Sequence, residues 1–334
     1  MQKVLLHVED LKAYYPVRSG MMGKTAYVKA LDGVTFDVFE GETFGIVGES
    51  GCGKSTLSKV ICRLQNLTGG TICFDGEDIS QYNSHQMRSV HKKIQMVFQD
   101  PYASLNPRMS IRNILAEPMM IHHLANGKED IDSRVVSLLR KVGMDDYHAN
   151  RYPHEFSGGQ RQRIGIARAL AVEPKMIIAD EPVSALDVSI QSQVLNLMND
   201  LKEEMNLTYI FIAHDLSVVE HISDRVGVMY LGNFVEMADK NTLYAKPMHP
   251  YTQALLSAVP IPDPHNKKER VILQGNIPSA LNPPSGCKFH TRCRKCMEIC
   301  KHEVPKWTEI SENHKVCCHL YDDGAKAEKD SAVK

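Results

Sequence analysis

The chain has 334 residues, of which 43% are hydrophobic and 24% are charged. These fractions are those of a folded globular protein, so disordered and fibrous classes are excluded, and the length suffices for one large core with an appendage or for two domains. The 39 Lys and Arg residues nearly balance the 40 Asp and Glu residues. Such a chain lacks the basic surface from which nucleic-acid binding is usually argued, and we expect no nucleic-acid partner.

The sequence contains no run of the roughly eighteen consecutive apolar residues that a membrane-spanning helix requires. The apolar residues of its first segment are interrupted by His7, Glu9 and Asp10, which is unlike a signal peptide. We therefore expect the chain in the cytoplasm. Thiols are kept reduced there, so those of the nine cysteines that cluster in 287–318 indicate metal binding rather than disulfide bonds.

Short apolar segments with β-forming residues alternate with helical patterns along the first 245 residues. In segment 191–204, for example, Val194, Leu197, Met198 and Leu201 form one apolar stripe at helical spacing. This alternation predicts an α/β fold with a mostly parallel sheet covered by helices on both faces. We expect strands at 43–47, 94–98, 176–179, 208–213 and 226–230.

Two parts of the chain lack this alternation. Strand patterns disappear from about 101 to 170, where segments such as 133–142 predict an inserted helical subdomain. Prolines are concentrated in 247–284, which predicts a linker or an extended arm, and a cysteine-rich tail follows. We therefore expect one α/β domain over 1–245 and a C-terminal extension over 246–334.

A glycine-rich segment, GESGCGKST, follows the first strand of the α/β pattern and precedes a helical pattern. It matches the P-loop motif GxxxxGK[ST] in the structural context that the motif requires. Its glycines let the backbone turn so that amides point at phosphate oxygens, Lys54 places a positive charge on the β and γ phosphates, and Ser55 supplies a hydroxyl for Mg²⁺. We expect the phosphates of the nucleotide to be bound by Gly48, Ser50, Gly51, Cys52, Gly53, Lys54, Ser55 and Thr56.

Two acidic residues end the apolar strand predicted at 176–179. A doubly wound sheet presents such residues in the ligand crevice at the carboxyl ends of its strands. We expect Asp180 to hold Mg²⁺ and Glu181 to polarise the water that attacks the terminal phosphate.

Four further segments identify the type of P-loop protein. Segment 156–163, FSGGQRQR, closely resembles the signature loop of ATP-binding cassette (ABC) proteins. Gln99 resembles the Q-loop glutamine of that family, Asp187 its D-loop aspartate, and His214 its switch histidine. The resemblance covers about 4–245. It implies a P-loop NTPase core of the ABC type, an N-terminal antiparallel β subdomain and an inserted helical subdomain that carries the signature loop.

The resemblance also implies how the site works. Two cassettes would close head to tail, so that the signature loop of one subunit contacts the γ-phosphate held by the other. Glu181, His214 and Gln99 would be the catalytic residues, and Mg²⁺ would be held by Ser55, Gln99 and Asp180. An aromatic residue near the N-terminus would stack on adenine, with Tyr15 the first choice and Tyr14 the second. The remaining nucleotide contacts would come from Ser157, Gly158, Gly159, Gln160 and Asp187.

Three features resemble the ATPase subunits of oligopeptide and dipeptide importers. They are HPYTQALLSAVP at 249–260, QDPYASLNPR at 99–108, and an insert at about 17–27 typical of the F-type subunit. The resemblance implies an ATPase at the cytoplasmic face of the membrane, with a second ABC subunit, two permeases and an external binding protein as partners. A homodimer is the alternative to the heterodimer. Nickel or glutathione is the alternative cargo, and a soluble ABC ATPase outside transport is the alternative function.

The tail contains four cysteines that are candidate metal ligands, Cys287, Cys293, Cys300 and Cys318. Four thiolates suffice for a tetrahedral zinc site or a [4Fe-4S] cluster, and similar tails of peptide-importer ATPases carry such a cluster in some members. Zinc and metal-free thiols are the alternatives. Cys296 and Cys317 are surplus to the set, and the zinc variant would combine Cys296 and Cys300 with His302 or His319.

Overall fold

The computed structural model describes residues 3–18, 25–259 and 271–322. Part of the predicted insert at 17–27 and residues 260–270 of the predicted arm lie outside them. The described residues form twelve strands and eleven α-helices. The strands are β1 Val4–Arg18, β2 Thr25–Phe39, β3 Thr43–Val47, β4 Gly69–Phe74, β5 Glu77–Asp78, β6 Ile94–Val97, β7 Met176–Asp180, β8 Thr208–Ile212, β9 Arg225–Tyr230, β10 Asn233–Asp239, β11 Trp307–Ser311 and β12 His314–Cys317. The helices are α1 Lys54–Ile61, α2 Ser84–Lys93, α3 Pro101–Ser104, α4 Ile111–Ile121, α5 Lys128–Lys141, α6 Gly158–Leu170, α7 Val188–Met205, α8 Leu216–Ile222, α9 Lys240–Ala245, α10 Pro250–Ser257 and α11 Ile299–His302.

The main sheet has eight strands in the order β11-β12-β10-β9-β3-β8-β7-β6. The five strands from β9 to β6 are parallel, which confirms the predicted sheet. Every residue of β3, β7 and β8 is buried, as their apolar sequences require. Because these three strands are neighbours, the segments that follow their carboxyl ends meet at one edge of the sheet.

The N-terminal β subdomain is a separate antiparallel sheet with the order β2-β1-β4-β5. Its buried side chains, such as Leu6 and Val8, belong to one apolar cluster with Leu57 and Val60 of α1 and Ile46 of β3. This packing places the N-terminal sheet beside the helix that follows the P-loop.

The helical insert lies between β6 and β7, where all the regular structure is helical. Its helices α4, α5 and α6 contact one another, and α6 also contacts α7 of the core. Buried residues of these helices join the larger apolar cluster that covers one face of the main sheet. The insert therefore matches the predicted helical subdomain.

The C-terminal extension adds strands to the same sheet. β12 pairs antiparallel with β10, with Glu236 opposite Val316 and Met237 opposite Lys315.

The carboxylate of Glu236 is fully buried and accepts hydrogen bonds from the backbone N–H groups of Met248 (2.7 Å) and His249 (2.9 Å). Nε2 of His314 lies 2.8 Å from the same carboxylate. One buried acid thus joins both ends of the extension to the core.

The proline-rich arm is not wholly extended. Pro250 begins α10, where its missing N–H costs no hydrogen bond and its fixed φ favours the helix. His249 precedes it, and Nδ1 of His249 accepts a hydrogen bond from the N–H of Tyr251 (3.1 Å). The prediction of a linker or extended arm was therefore wrong for Pro250–Ser257, because a proline at the first position of a helix favours the helix instead of interrupting it.

Candidate nucleotide-binding site

The P-loop connects β3 to α1 by a tight turn. Gly51 and Gly53 have φ values of 78° and 111°, in the left-handed region that favours glycine. A Cβ atom on Gly53 would lie 2.4 Å from the carbonyl oxygen of Ala30, so a side chain there would also collide with the N-terminal sheet. The left-handed backbone thus favours glycine at both positions, and the collision adds a second reason at Gly53.

Lys54 is the first residue of α1 and is only 4% exposed. Its Nζ atom donates hydrogen bonds to the carbonyl oxygens of Gly48 (2.7 Å) and Glu49 (3.1 Å). The ammonium group is therefore held inside the loop, on the side that would face the phosphates of a nucleotide.

Asp180 ends β7 directly beside α1. Its carboxylate accepts hydrogen bonds from the hydroxyl groups of Ser55 (3.1 Å) and Ser58 (3.2 Å), and burial raises its pKa above the usual value. Carboxylate and hydroxyl oxygens are the hard donors that Mg²⁺ prefers, so the residues present fit the predicted metal. Ser58 was missed by the sequence analysis, although it lies one helical turn after Ser55.

Glu181 follows Asp180 and brings the three predicted catalytic residues together. Its Oε2 atom accepts a hydrogen bond from Nε2 of Gln99 (3.0 Å) and lies 3.2 Å from Nδ1 of His214. The backbone of Glu181 has φ 48°, which is unusual for a residue with a side chain, and its N–H donates to the carbonyl oxygen of Ile212 (2.9 Å) in β8. The left-handed turn thus aims the carboxylate away from the sheet, toward Gln99 and His214.

The two candidate adenine-stacking residues occupy consecutive positions on β1. Successive side chains of a strand point to opposite faces. The hydroxyl of Tyr15 donates to Oε1 of Gln65 (2.5 Å). Burial raises the pKa of Tyr15, and a hydrogen bond with Thr56 of α1 partly opposes this increase. The hydroxyl of Tyr14 instead bonds Asp32. Tyr15 is therefore the residue beside the P-loop helix, and its role in stacking stays a prediction.

The signature residues lie at the start of α6. The Ser157 hydroxyl accepts a hydrogen bond from the N–H of Gln160 (3.3 Å), and Oε1 of Gln160 accepts one from the N–H of Ser157 (3.0 Å). This capping box fixes the first turn of the helix. A Cβ atom on Gly159 would lie 2.4 Å from Cγ2 of Ile190, so glycine there allows close packing against α7.

Asp187 caps α7 next to the signature residues and accepts hydrogen bonds from the N–H of Ile190 (3.0 Å) and the hydroxyl of Ser189 (2.7 Å). Within residues 3–18, 25–259 and 271–322, no hydrogen bond joins Ser157, Gln160 or Asp187 to the P-loop. The structure therefore divides the predicted site residues into two groups, one around the P-loop and one at the start of α6 and α7.

The tail thiols lie near one another. The pKa of Cys287 is raised to about 11 and that of Cys318 to about 12, chiefly by burial, and the charges of Cys293 and Cys300 contribute to both shifts. However, the described part of the chain contains no group of three or more His, Cys, Asp or Glu residues arranged to hold a single metal ion. The predicted cluster and the zinc alternative are therefore not confirmed.

The surplus cysteines and histidines of the tail have other contacts. The Sγ atom of Cys317 donates to the carbonyl oxygen of Pro305 (3.1 Å). Both ring nitrogens of His319 have partners, Asp322 at 2.7 Å and the carbonyl oxygen of Glu303 at 3.0 Å. His302 lies 3.3 Å from the carboxylate of Glu298, and Cys296 is exposed. These contacts do not favour the zinc variant built on Cys296, Cys300 and a histidine.

A groove of about 680 Å³ adjoins the catalytic residues between the core and the helical insert. The lining includes Gln99, Ala103 and Pro118, together with Ser55 and Asp180 of the P-loop side. The groove therefore connects the surface of the helical insert to the site itself. In the described residues no helix is both long and apolar enough to cross a membrane.

Comparison with known proteins supports this description. The ABC transporter family model matches 31–184, and the model of the oligopeptide/dipeptide transporter C-terminal region matches 235–300. The oligopeptide transport ATP-binding protein AppF of Bacillus subtilis is 57% identical over 324 residues, covering 96% of this chain and 98% of AppF. The oligopeptide transport ATP-binding protein OppF of Salmonella typhimurium is 52% identical, covering 95% and 96%, and the dipeptide transport ATP-binding protein DppF of Escherichia coli is 51% identical, covering 92% and 91%.

Solved structures give the same result for the core. An ATP-binding cassette dimer in a post-hydrolysis state with ADP and phosphate superposes with a TM-score of 0.63 at 28% identity, covering 70% of this chain and 98% of that chain. cbiO1 of Clostridium perfringens, part of an ABC transporter complex, also has a TM-score of 0.63 at 28% identity, covering 73% and 92%. The chain is an ABC-type ATPase, and it belongs to the group of oligopeptide and dipeptide transport ATP-binding proteins.

Proposed function

We propose that this chain hydrolyses ATP to drive the import of peptides. It would act at the cytoplasmic face of a membrane, together with a second ABC subunit, two permeases and an external binding protein. The observation that carries the catalytic part is the carboxylate of Glu181, which contacts Gln99 and His214 beside the pair of Asp180 and Ser55.

Each group of the site has a chemical role in this proposal. Lys54 and the amides of the P-loop bind the β and γ phosphates, and Tyr15 stacks on adenine. Ser55, Asp180 and Gln99 would hold Mg²⁺, which would neutralise charge on the phosphates. Glu181 orients a water and accepts its proton as the oxygen attacks the γ-phosphorus, while the bond to the ADP oxygen breaks. His214 donates a hydrogen bond to the phosphate that leaves.

The second group of site residues would complete the site of another subunit. Ser157, Gly158, Gly159 and Gln160 present the N-terminal end of α6, which attracts anions, and Asp187 lies beside them. This division of the site supports a head-to-tail dimer in which each ATP contacts both subunits. A heterodimer with a related cassette is proposed, with a homodimer as the alternative.

Peptides are favoured over the other cargoes by the relatives. The names of AppF, OppF and DppF specify oligopeptides or dipeptides, and the C-terminal region of this chain matches the model of that group. Nickel, glutathione and a soluble function outside transport have no such support. The groove beside Gln99 is the proposed contact with a permease, since it opens next to the catalytic residues.

A [4Fe-4S] cluster bound by Cys287, Cys293, Cys300 and Cys318 is the proposed second cofactor, with zinc as the alternative. The backbone N–H of Cys287 donates to the carbonyl oxygen of Cys300 (2.9 Å), and the charges of Cys293 and Cys300 contribute to the raised pKa values of Cys287 and Cys318, which supports one shared site for the four thiolates. Protein purified without oxygen should contain about four irons per chain. Stoichiometric zinc without iron would contradict the cluster.

Affinity capture tests the transport function most directly. The tagged chain would be isolated from detergent-solubilised native cells, and the proteins that accompany it would be identified by mass spectrometry. Recovery of two permeases and a second cassette subunit is the expected result. Recovery of soluble partners alone would leave the ATPase activity intact and overturn the transport function.

A further inference from the structure

The P-loop residue Glu49 is held by the C-terminal extension from two directions. Its carboxylate accepts two hydrogen bonds from the guanidinium of Arg292, Nη1 to Oε2 at 2.6 Å and Nη2 to Oε1 at 3.0 Å. Its backbone N–H donates to the hydroxyl oxygen of Tyr251 at 2.9 Å. Bidentate arginine–carboxylate pairs of this kind fix the relative orientation of the two side chains as well as pairing their charges. The extension thus determines both the side chain and the backbone of one P-loop residue.

The two groups that hold Glu49 are themselves fixed. Tyr251 is fully buried, and its ring packs against the rings of Tyr230 (centroids 4.8 Å apart) and Phe289 (5.3 Å). The side chain of Arg292 is 6% exposed, and its guanidinium lies 6.0 Å from the centroid of the Tyr230 ring. A side chain locked by packing positions its partner better than a mobile surface side chain does.

Glu49 contacts two groups of the P-loop that would face phosphate. Its carbonyl oxygen accepts hydrogen bonds from Nζ of Lys54 (3.1 Å) and from the N–H of Cys52 (3.3 Å). Lys54 and Cys52 are both residues that the P-loop motif assigns to phosphate binding. A displacement of Glu49 would therefore move a charge and an amide of the nucleotide site.

We propose that Arg292 and Tyr251 are positioning residues for ATP binding, which act through Glu49 on the P-loop. The inference deepens the proposed function and rests on it only in that the P-loop binds ATP. Because Arg292 directly precedes Cys293, the same contact couples the cysteine-bearing tail to nucleotide affinity. Such a coupling is reciprocal, so bound ATP also stabilises the tail.

The test is the dissociation constant for ATP of the purified full chain and its variants, measured at equilibrium. Arg292→Gln and Glu49→Gln should each raise the dissociation constant about tenfold, which corresponds to about 1.4 kcal/mol. The double variant should bind no worse than either single variant, because both changes break one interaction. The dissociation constant of Arg292→Lys should lie between those of wild type and Arg292→Gln, since an ammonium keeps the charge but not the bidentate geometry.

Arg225→Gln is the matched control for lost stability. Nη1 of Arg225 lies 3.0 Å from Oε1 of Glu42. Glu42 directly precedes β3, so this pair lies at the opposite end of that strand from the P-loop. The variant should lower the unfolding temperature as Arg292→Gln does but change the dissociation constant for ATP less than twofold. Equal weakening of ATP binding in the two variants, or additive effects in the double variant, would overturn the proposal.

Tyr251→Phe is the milder variant if Arg292→Gln does not fold. It removes one hydroxyl from a buried ring of the same shape, and it should raise the dissociation constant about threefold, which corresponds to about 0.7 kcal/mol. Unchanged affinity would contradict the positioning role. If wild-type protein bound no ATP, the proposed function itself would fail, whereas normal binding in both wild type and the variants would refute only this inference.

Discussion

Nδ1 of His214 lies 3.2 Å from Oε2 of Glu181, although the two residues come from different strands of the sheet. Glu181 follows β7 and His214 follows β8, and these strands are parallel neighbours. The contact therefore results from the sheet order, and Gln99, which follows β6 on the other side, completes the group. Gln99 and His214, which lie 115 positions apart in the sequence, thus contact the same carboxylate oxygen of Glu181.

Replacing Glu181 by Gln should abolish ATP hydrolysis while ATP binding is kept. The amide retains the shape of the side chain but cannot accept a proton from water. We expect a fall in turnover of at least roughly a hundredfold, measured as phosphate release, with a dissociation constant for ATP close to that of wild type. Hydrolysis at the wild-type rate would refute the role of Glu181.

Replacing Ser58 by Ala should raise the concentration of Mg²⁺ needed for half-maximal activity. Its buried hydroxyl shares its proton between the carbonyl oxygen of Ser55 (2.9 Å) and Oδ2 of Asp180 (3.2 Å), so its loss leaves that carboxylate oxygen without this partner. Changes in such supporting hydrogen bonds weaken metal binding roughly tenfold or more. The measurement is ATPase activity against Mg²⁺ concentration. Ser89→Ala is the control, because the Ser89 hydroxyl is exposed and donates to the carbonyl oxygen of Gln86 in α2.

Replacing Ala103 by Glu should uncouple hydrolysis from transport. Ala103 lines the groove beside Gln99, and an added carboxylate would disturb a docked permease helix without entering the P-loop. Peptide uptake by cells should be lost, while the purified chain hydrolyses ATP at the wild-type rate. Unchanged peptide uptake would show that the groove does not serve docking.

Acid should destabilise the protein through His249. Burial lowers the pKa of this imidazole to about 4, from an ordinary value of 6.5, although Glu236 opposes the shift. The unfolded chain therefore binds the proton more readily than the folded chain. The contribution of neutral His249 to the free energy of unfolding is fully present above pH 6.5 and is lost as the pH falls toward 4. The loss from His249 between pH 7 and pH 5 should be about 2 kcal/mol.

The measurement for His249 is urea unfolding at both pH values. His249→Asn keeps an acceptor at the start of α10 but does not titrate, so the difference between pH 7 and pH 5 should shrink in this variant. An unchanged pH dependence would show that other groups carry it.

The parts of the fold that depend on local sequence were predicted well. The P-loop, the strand before Asp180 and the helical insert each have a pattern within a few neighbouring residues, and the structure has them where that pattern predicts. The left-handed turn at Glu181 and the hydroxyl of Ser58 depend on packing between separate elements, which periodicity does not report.

The contacts of the extension were harder to predict for the same reason. Arg292 contacts Glu49 across 243 positions of sequence, and no local pattern marks the two residues as partners. Proline density predicted an extended arm, whereas Pro250 at a first helical position instead begins α10. Topology, rather than composition, decides which of these residues meet.

The pairing of β12 with β10 has a consequence for any shortened version of the chain. A protein cut after residue 245 would keep β10 but lose its neighbour, so N–H and C=O groups on that side would face solvent as an open edge. The buried carboxylate of Glu236 would also lose its three partners in the extension. An isolated cassette domain of this protein should therefore tend to associate edge to edge and precipitate.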